Sequence, residues 1–319
     1  MKKLTAALIV SVLCLFLTTT VWAGDKAKAS KGLSPAAKAW EKTGKYMTVD
    51  GHKVFYHDVG KGPVILLLHG HPSSSNDWEG VIERLKSHAR LVSFDHVGWG
   101  LSDKPVAFSY SLMQLTDITE GVVKNLGIKK AHVVSHDISG SVHTEILARN
   151  LEGSLSFELL SSMFTNGSIL QWISTEPDSQ NLAAHNETLF QAMEGFKKFG
   201  AELPGFFKHA TLGNFSEEQI SLKTELLIRD DGLSRLAAQS GYMRERYLYA
   251  DRWVGAMEKT TPMRIVWSVD DPIANVSIGR ELEQRCPKAV YVEKKGMGHF
   301  PNAENPEFIA KQIALSAGL

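Results

Sequence analysis

Three short polar segments of this 319-residue chain each follow a predicted strand, and their side chains suit nucleophilic catalysis. The first is Ser-His-Asp-Ile-Ser-Gly at 135–140, where Asp137 has a serine two residues away on either side. A strand, a sharp turn with small flanking residues and a helix are typical of a turn that exposes a nucleophile. The second segment contains Asp270 and Asp271, and the third contains His299. This order suits a nucleophile served by a histidine that a carboxylate orients.

An aspartate at the turn predicts a different chemistry from a serine. Its carboxyl group, with an ordinary pKa of about 3.9, is ionised at neutral pH and needs no base before it attacks. It can attack a saturated carbon, displace a halide or open an epoxide, and form an alkyl-enzyme ester. His299 would then activate the water that hydrolyses the ester. Ester hydrolysis through Ser135 or Ser139 is the alternative, but Asp137 is too large for the small position that a nucleophilic Ser139 requires.

A fourth segment, His-Gly-His-Pro at 69–72, follows the continuous apolar run at 64–68. The backbone N–H of His71 is predicted to join that of Ile138 as an oxyanion hole. The spacing of Cys, His and carboxylate residues indicates no metal site. No Gly-x-Gly-x-x-Gly segment indicates a dinucleotide. We therefore expect no cofactor and no metal.

The elements that must position these residues alternate between strand and helix. Strands are predicted at 46–49, 53–59, 64–68, 91–94, 132–134, 157–160, 265–267 and 290–292. Helical patterns at 112–126 and 142–150 separate some of them. Such alternation predicts an α/β protein with a mainly parallel eight-stranded sheet flanked by helices. An Asp-Gly pair at 50–51 predicts a hairpin between the first two strands.

One long interval, 164–259, contains no clear strand but shows helical periodicity. An interval of this length is too long for a bare loop in a compact domain. We interpret it as a helical cap inserted after the sixth strand of a core formed by 46–163 and 260–319. Because ligands of open α/β sheets bind at the carboxyl ends of the strands, the cap would enclose a cavity there.

The amino-acid composition limits the classes of partner that the protein is expected to bind. Lysine plus arginine and aspartate plus glutamate both number 35, so the formal net charge is zero. A nucleic-acid protein normally carries a basic patch or domain, so no nucleic-acid partner is expected. We expect a small-molecule substrate and water, and the sequence leaves the oligomeric state open.

The N-terminus has the pattern of a secretory signal peptide over 1–23, with two lysines, an apolar stretch and Val-Trp-Ala before the cleavage site. An uncleaved membrane anchor is the alternative. A leader is predicted over 24–45. Only Cys286 remains after cleavage, so no intrachain disulfide is possible. We expect an exported protein, in a bacterial periplasm, with no membrane association after cleavage.

These motifs together resemble α/β-hydrolases of the haloalkane dehalogenase and epoxide hydrolase branch, and within it the hydrolases similar to the mesoderm-specific transcript protein. The resemblance runs from about residue 46 to the C-terminus. The segments that carry it are His-Gly-His-Pro at 69–72, Asp-His-Val-Gly-Trp-Gly-Leu-Ser-Asp-Lys-Pro at 95–105, Ser-His-Asp at 135–137, Arg-Trp-Val-Gly-Ala at 252–256, Asp-Pro-Ile at 271–273 and Gly-His-Phe-Pro at 298–301.

The resemblance implies an α/β-hydrolase fold and a triad of Asp137, His299 and, by the family's spacing, Asp271 rather than Asp270. It implies a dehalogenase-like hydrolase acting on small apolar substrates, with epoxide hydrolysis as the alternative. A non-catalytic ligand-binding or signalling protein on the same scaffold is the alternative of another class.

Two positions depart from the family's pattern. Ile138 replaces the usual tryptophan after the nucleophile, and His71 stands where many dehalogenases have asparagine. The leaving-group site is therefore open. The candidate contacts are His71 and three tyrosines of the late cap, Tyr242, Tyr247 and Tyr249.

Overall fold

A computed structural model of the chain describes residues 32–174 and 189–319. The signal peptide predicted over 1–23 and the first part of the leader predicted over 24–45 lie outside these residues. The last part of that leader forms helix α1 (Pro35–Thr43), which buries Ala37 and Trp40. The sequence does not predict this helix, because only two of its side chains are buried and its apolar pattern is weak. Pro35 and the Ser34 cap define its start.

Eight strands form one sheet in the order β1-β2-β4-β3-β5-β6-β7-β8. The strands from β4 through β3 to β8 run parallel to one another, and β1 and β2 join antiparallel at one edge. Their bounds are β1 (Lys45–Val49), β2 (His52–Val59), β3 (Val64–Leu68), β4 (Arg90–Phe94), β5 (Lys130–His136), β6 (Glu158–Thr165), β7 (Met263–Ser268) and β8 (Val290–Lys294). The predicted fold class is confirmed.

The local sequence explains two features of this sheet. Asp50 and Gly51 have φ angles of 46° and 82°, which is the left-handed pair that a tight turn between twisted strands requires. In β3, the residues Ile65 to Leu68 are all fully buried because helices cover both faces of the parallel part of the sheet. The carboxyl end of β3 is thereby fixed in the interior, where the next segment begins.

The helices of the described residues lie on the two faces of the sheet and in the interval between β6 and β7. They are α1, α2 (Glu79–Leu85), α3 (Leu112–Asn125), α4 (Ile138–Leu151), α5 (Leu189–Ala210), α6 (Glu217–Ile228), α7 (Leu236–Gln239), α8 (Tyr242–Leu248), α9 (Ala250–Lys259), α10 (Val276–Arg285), α11 (Pro301–Glu304) and α12 (Pro306–Ala317). Short 3₁₀ segments are Ser75–Trp78, Gln171–Ile173 and Arg229–Arg235. None of the helices within 32–174 and 189–319 is long and apolar enough to cross a membrane.

Helices α5 to α9 form the cap, and its last helix is tied to the core by one buried carboxylate. Glu145 on α4 accepts hydrogen bonds from Trp253 Nε1 at 2.8 Å and from Arg252 Nε at 2.8 Å. Arg149 Nε donates to the same carboxylate at 3.0 Å. These bonds, together with the burial of Trp253 and Val254, seat α9 against α4.

A second tie joins the cap to the loop that follows β3. Lys223 on α6 and Asp77 are 2% and 0% exposed, and Lys223 Nζ lies 2.5 Å from Asp77 Oδ1. The other oxygen of Asp77 accepts a hydrogen bond from Ser73. Because Ser73 lies two residues after His71, this ion pair connects the cap with the predicted oxyanion segment.

We expect Lys223→Met to lower the free energy of unfolding by about 3–5 kcal/mol, because it leaves Asp77 buried without its cation. Urea unfolding followed by circular dichroism measures the change. Lys208→Met is the matched control: Lys208 pairs with Glu217 in the same cap, but both side chains are more than half exposed. That control should change stability by no more than about 1 kcal/mol. Equal effects of the two variants would contradict the prediction.

Candidate active site

Asp137 occupies a strained turn between β5 and α4. Its φ and ψ angles are 53° and −120°, a conformation that residues with a side chain seldom adopt. The bend ends the strand and starts the helix within one residue. Its carboxylate is therefore presented at the carboxyl end of β5, near the positive N-terminal end of α4. This is the geometry that the sequence predicted for 135–140.

Small residues make the turn possible because other backbone segments pass close to it. A Cβ atom on Gly70 would lie 2.7 Å from the Asp137 Cβ, and one on Gly167 would lie 2.7 Å from the Asp137 carbonyl oxygen. Ser135 and Ser139 are fully buried on either side. Loops from β3 and β6 thus enclose the turn and hold its backbone in place.

Three residues that are far apart in the sequence meet here. His299 Nε2 lies 3.6 Å from Asp137 Oδ2, and His299 Nδ1 lies 2.9 Å from Asp271 Oδ2. All three side chains are at least nine-tenths buried. The structure therefore places the imidazole between two carboxylates, one on each ring nitrogen.

The structure distinguishes the two neighbouring aspartates. Asp271 Oδ1 accepts hydrogen bonds from the backbone N–H groups of Ile273 and Ala274 at 2.7 and 3.0 Å. Its Oδ2 also accepts from Asn166 Nδ2 at 2.6 Å. Asp270 instead accepts from the Gly296 N–H at the surface. Only Asp271 touches His299.

Charge and hydrogen bonding favour the ionised form of Asp137. Burial alone would raise the pKa of Asp137, but the hydrogen bond to His299 and its positive charge outweigh burial and lower that pKa. The positive charge of Arg246 contributes in the same direction. Burial tends to lower the pKa of His299, yet the charge of Asp271 and the two carboxylate contacts raise it well above its usual value. The geometry therefore favours a carboxylate–imidazolium–carboxylate arrangement.

The predicted oxyanion segment also meets the turn. The backbone N–H of His71 donates to Asp137 Oδ1 at 2.6 Å. Ile138 begins α4 and is fully buried. Its N–H forms no hydrogen bond to any residue of the described ranges.

The three predicted tyrosines have different surroundings. Tyr242 is 2% exposed, and its ring centroid lies 6.3 Å from that of His71. Tyr247 is 56% exposed, and Tyr249 is 36% exposed with its ring against Trp253. The structure gives Tyr247 and Tyr249 no contact with the residues around Asp137. The reason is helical geometry: five residues along α8 turn the side chain by about 140°, so Tyr242 and Tyr247 lie on different faces.

The serines of the alternative hypothesis have other partners. Ser135 Oγ is 2.9 Å from His143 Nδ1, and Ser139 Oγ bonds the His69 carbonyl and His96. Burial lowers the pKa of His143 to about 3. Neither serine hydroxyl contacts His299, so the structure does not bring a serine nucleophile and this base together.

The cap reaches the histidine loop directly. The His299 N–H donates to the carbonyl of Ala210, the last residue of α5, at 2.6 Å. A Cβ atom on Gly298 would lie 2.1 Å from the same carbonyl oxygen. Glu304 accepts from the backbone N–H groups of Gly298 and Phe300 at 2.7 and 2.9 Å. The loop that holds His299 is therefore fixed by both the core and the cap.

Sequence reasoning gave no role to several residues around the site. Trp99 Nε1 donates to His71 Nδ1 at 3.2 Å, and Asn166 holds Asp271. Arg246, 2% exposed, lies with its guanidinium 4.4 Å from the centre of the Tyr242 ring. The sequence gives one indication for Asn166, because this residue follows β6 at the same sheet edge as Asp271. It gives no comparable indication for Trp99 or Arg246. No group of three or more potential metal ligands occurs in the described part of the chain.

Comparison with known proteins identifies the family of this fold. A family model described as the alpha/beta hydrolase fold matches residues 63–306. The chain belongs to the α/β-hydrolase fold family. The parallel sheet, the turn at Asp137 and the cap between β6 and β7 are thus parts of an α/β-hydrolase fold.

Two named proteins share much of the sequence of this α/β-hydrolase. It is 35% identical to the protein named hydrolase LipZ of Mycobacterium tuberculosis, over 89% of this chain and 98% of that protein. It is 29% identical to the human mesoderm-specific transcript homolog protein, over 86% of this chain and 85% of the other. The predicted resemblance is confirmed.

Solved structures share the fold at lower identity. The haloalkane dehalogenase DbeA of Bradyrhizobium elkani has a TM-score of 0.68 and 18% identity, covering 86% of this chain and 97% of its own. The epoxide hydrolase CorEH has a TM-score of 0.69 and 20% identity, covering 86% and 98%. The dehalogenase and the epoxide hydrolase resemble this chain to a similar degree. These structures therefore support the fold and leave the substrate open.

We expect Asp271→Asn to lower the pKa of His299, because the negative charge on the Nδ1 side is lost. NMR titration of the histidine ring measures this pKa. Asp270→Asn is the matched control, since Asp270 faces Gly296 and should leave the titration of His299 unchanged. A fall of the pKa in the control variant, or none in Asp271→Asn, would contradict the assignment of Asp271.

Proposed function

We propose that this α/β-hydrolase uses Asp137 as its nucleophile and forms an alkyl-enzyme ester that water then hydrolyses. The observation that carries the proposal is the ionised carboxylate at the turn, 3.6 Å from His299 Nε2, with Asp271 on the opposite ring nitrogen. The substrate is a small apolar molecule with a leaving group on a saturated carbon. A haloalkane is the first candidate.

In the first step, one oxygen of Asp137 attacks the carbon and the bond to the leaving group breaks. Oδ2 is the attacking atom in this proposal, because Oδ1 is held by the His71 N–H. The leaving group departs with the bonding electron pair, and a C–O ester bond replaces the lost bond. No proton moves in this step, since the nucleophile is already ionised.

In the second step, His299 in its neutral form accepts a proton from a water molecule as that water attacks the ester carbonyl carbon. The bond between Cγ and Oδ2 then breaks, and the alkoxide takes the proton from His299 and leaves as the alcohol. The water oxygen completes the carboxyl group of Asp137, which releases its remaining proton. Ester formation prepares this step: Asp137 loses its charge, and that charge had helped to raise the pKa of His299. The imidazole therefore becomes easier to deprotonate when a base is needed. The His71 N–H, 2.6 Å from Oδ1, is placed to stabilise the negative charge that develops on this oxygen. Asp271 stabilises the imidazolium that forms.

An epoxide is the second candidate substrate, and one observation favours it. Ring opening produces an alkoxide that needs a proton, and Tyr242 packs beside His71 in the buried site. Tyr247 and Tyr249 do not join it there. Only one of the three tyrosines is therefore positioned to act as an acid.

We expect His299→Gln to trap the ester, because attack needs only Asp137 while hydrolysis needs the base. Turnover should fall at least about a thousandfold. Intact-protein mass spectrometry after incubation with short haloalkanes and 1,2-epoxyalkanes identifies the product. A haloalkane adds only its alkyl group, whereas an epoxide adds its whole mass. The double variant Asp137→Asn/His299→Gln should stay unmodified. Absence of any adduct, with ligands still bound, would favour the non-catalytic alternative.

We expect the parent enzyme to accumulate the same ester in mildly acidic solution, between about pH 4 and 6. The lowered pKa keeps Asp137 ionised there, so ester formation continues. In the ester, His299 keeps its proton at this pH and cannot accept another one from water, so hydrolysis slows. Acid-quenched single-turnover samples analysed by mass spectrometry give the ester fraction at each pH. Equal ester fractions at acidic and neutral pH would contradict this role of His299.

A further inference from the structure

One hydrogen bond determines where the proton of His71 lies. Trp99 is fully buried in the loop after β4, and its Nε1–H donates to His71 Nδ1 at 3.2 Å. An indole nitrogen can only donate, so Nδ1 must accept and carries no proton. In a neutral imidazole the proton is then on Nε2.

Two independent features keep this ring neutral. Burial lowers the pKa of His71 to about 4, against the opposing charge of Asp137. In addition, a doubly protonated ring would direct an Nδ1–H at the indole N–H of Trp99. Two donors facing each other are unfavourable, so the bond from Trp99 also opposes protonation.

The Nε2 edge of His71 is available for a ligand. Across residues 32–174 and 189–319, no side chain or backbone group forms a hydrogen bond with Nε2. The backbone N–H of the same residue contacts Asp137 Oδ1, and the ring packs against Tyr242 from the cap. His71 therefore presents a side-chain N–H donor beside the nucleophile, on the side that the cap covers.

We propose that Trp99 is a positioning residue that fixes His71 as its Nε2–H tautomer, and that this N–H is the hydrogen-bond donor for the departing anion. This proposal rests on the proposed function, because it concerns the leaving group of that reaction. Within the described ranges, no hydrogen bond or ring contact joins Trp99 to Asp137, Asp271 or His299, so Trp99 would act through His71.

The proposal also selects a substrate class. When the carbon–halogen bond breaks, the halide keeps the electron pair and accepts the hydrogen bond from Nε2–H, while the proton stays on nitrogen. A neutral imidazole stabilises an anion in this way, but it is a much weaker acid than a tyrosine phenol and so is poorly suited to protonate an alkoxide. His71 therefore suits leaving groups that are stable as free anions, and halides are the simplest of these.

The tautomer can be measured without any variant. In ¹⁵N NMR of the histidine-labelled protein near neutral pH, we expect His71 Nε2 to show the shift of a protonated nitrogen and Nδ1 that of an unprotonated one. Trp99→Phe keeps an aromatic ring but removes the donor, so His71 should become a mixture of both tautomers. A proton on Nδ1 in the parent protein would overturn the proposal.

The kinetic test uses the His299→Gln background, where the rate of ester formation on Asp137 is read by mass spectrometry. We expect His71→Ala to slow ester formation from a 1-chloroalkane by about tenfold to a hundredfold, the loss typical of a hydrogen bond to an anion. Trp99→Phe should slow it by a smaller factor, about twofold to fivefold, because only part of the His71 rings then carry the proton on Nε2. The loss should be smaller for the 1-iodoalkane, whose leaving group needs less stabilisation. Trp40→Phe is the matched control, because Trp40 is a buried tryptophan whose Nε1 has no partner among the described residues.

A double-variant cycle with His71→Ala separates a role through His71 from a general loss of structure. Once His71 is removed, Trp99→Phe should cause no further loss. Equal losses for chloride and iodide, or a full additional loss in the His71→Ala chain, would overturn the proposal while the proposed function stands. Absence of ester from every haloalkane, with or without Trp99, would overturn the proposed function and the leaving-group role with it.

Discussion

A buried carboxylate that must stay charged is the constraint on which this site depends. Removing Asp137 from water costs free energy unless a positive group lies beside it. His299 supplies that charge, and its own charge is supported by Asp271 on the other ring nitrogen. Asp271 in turn is held by two backbone N–H groups and by Asn166. Each charged group is thus stabilised by the next, and Asp271, the last one, is held by neutral donors in the loops after β6 and β7.

The backbone at Asp137 is strained, and this strain accompanies the placement of its carboxylate. Asp137 has a positive φ in a turn that the surrounding loops enclose, with Gly70 and Gly167 leaving no room for a Cβ atom. Strain of this kind persists only where the surrounding structure over-determines it. Here the parallel strands on both sides, the buried serines and helix α4 provide that support. The same packing that forms the sheet therefore also sets the direction of the Asp137 carboxylate.

Much of this arrangement could be predicted because it is encoded locally. The eight strands follow from short apolar runs, and Asp137 and His299 stand out because each follows a strand in a short, small-residue turn. The residues alone left Asp270 and Asp271 open, since adjacent carboxylates differ only in direction. The bond from Trp99 to His71 joins the ends of two strands that pair only in the folded sheet. Tyr247 and Tyr249 were predicted as site contacts because they lie close to Tyr242 in the sequence. Closeness in sequence does not show which face of a short helix a side chain occupies.

The contact between Ala210 and the histidine loop has a consequence for how molecules enter and leave. The end of α5 rests on the backbone of His299 and Gly298 so closely that it cannot swing outward without breaking that contact. A hinge motion of this helix would shift the backbone of His299 as well. If the cap opens while His299 stays between its two carboxylates, the end of α5 must therefore remain on this loop while other cap segments move.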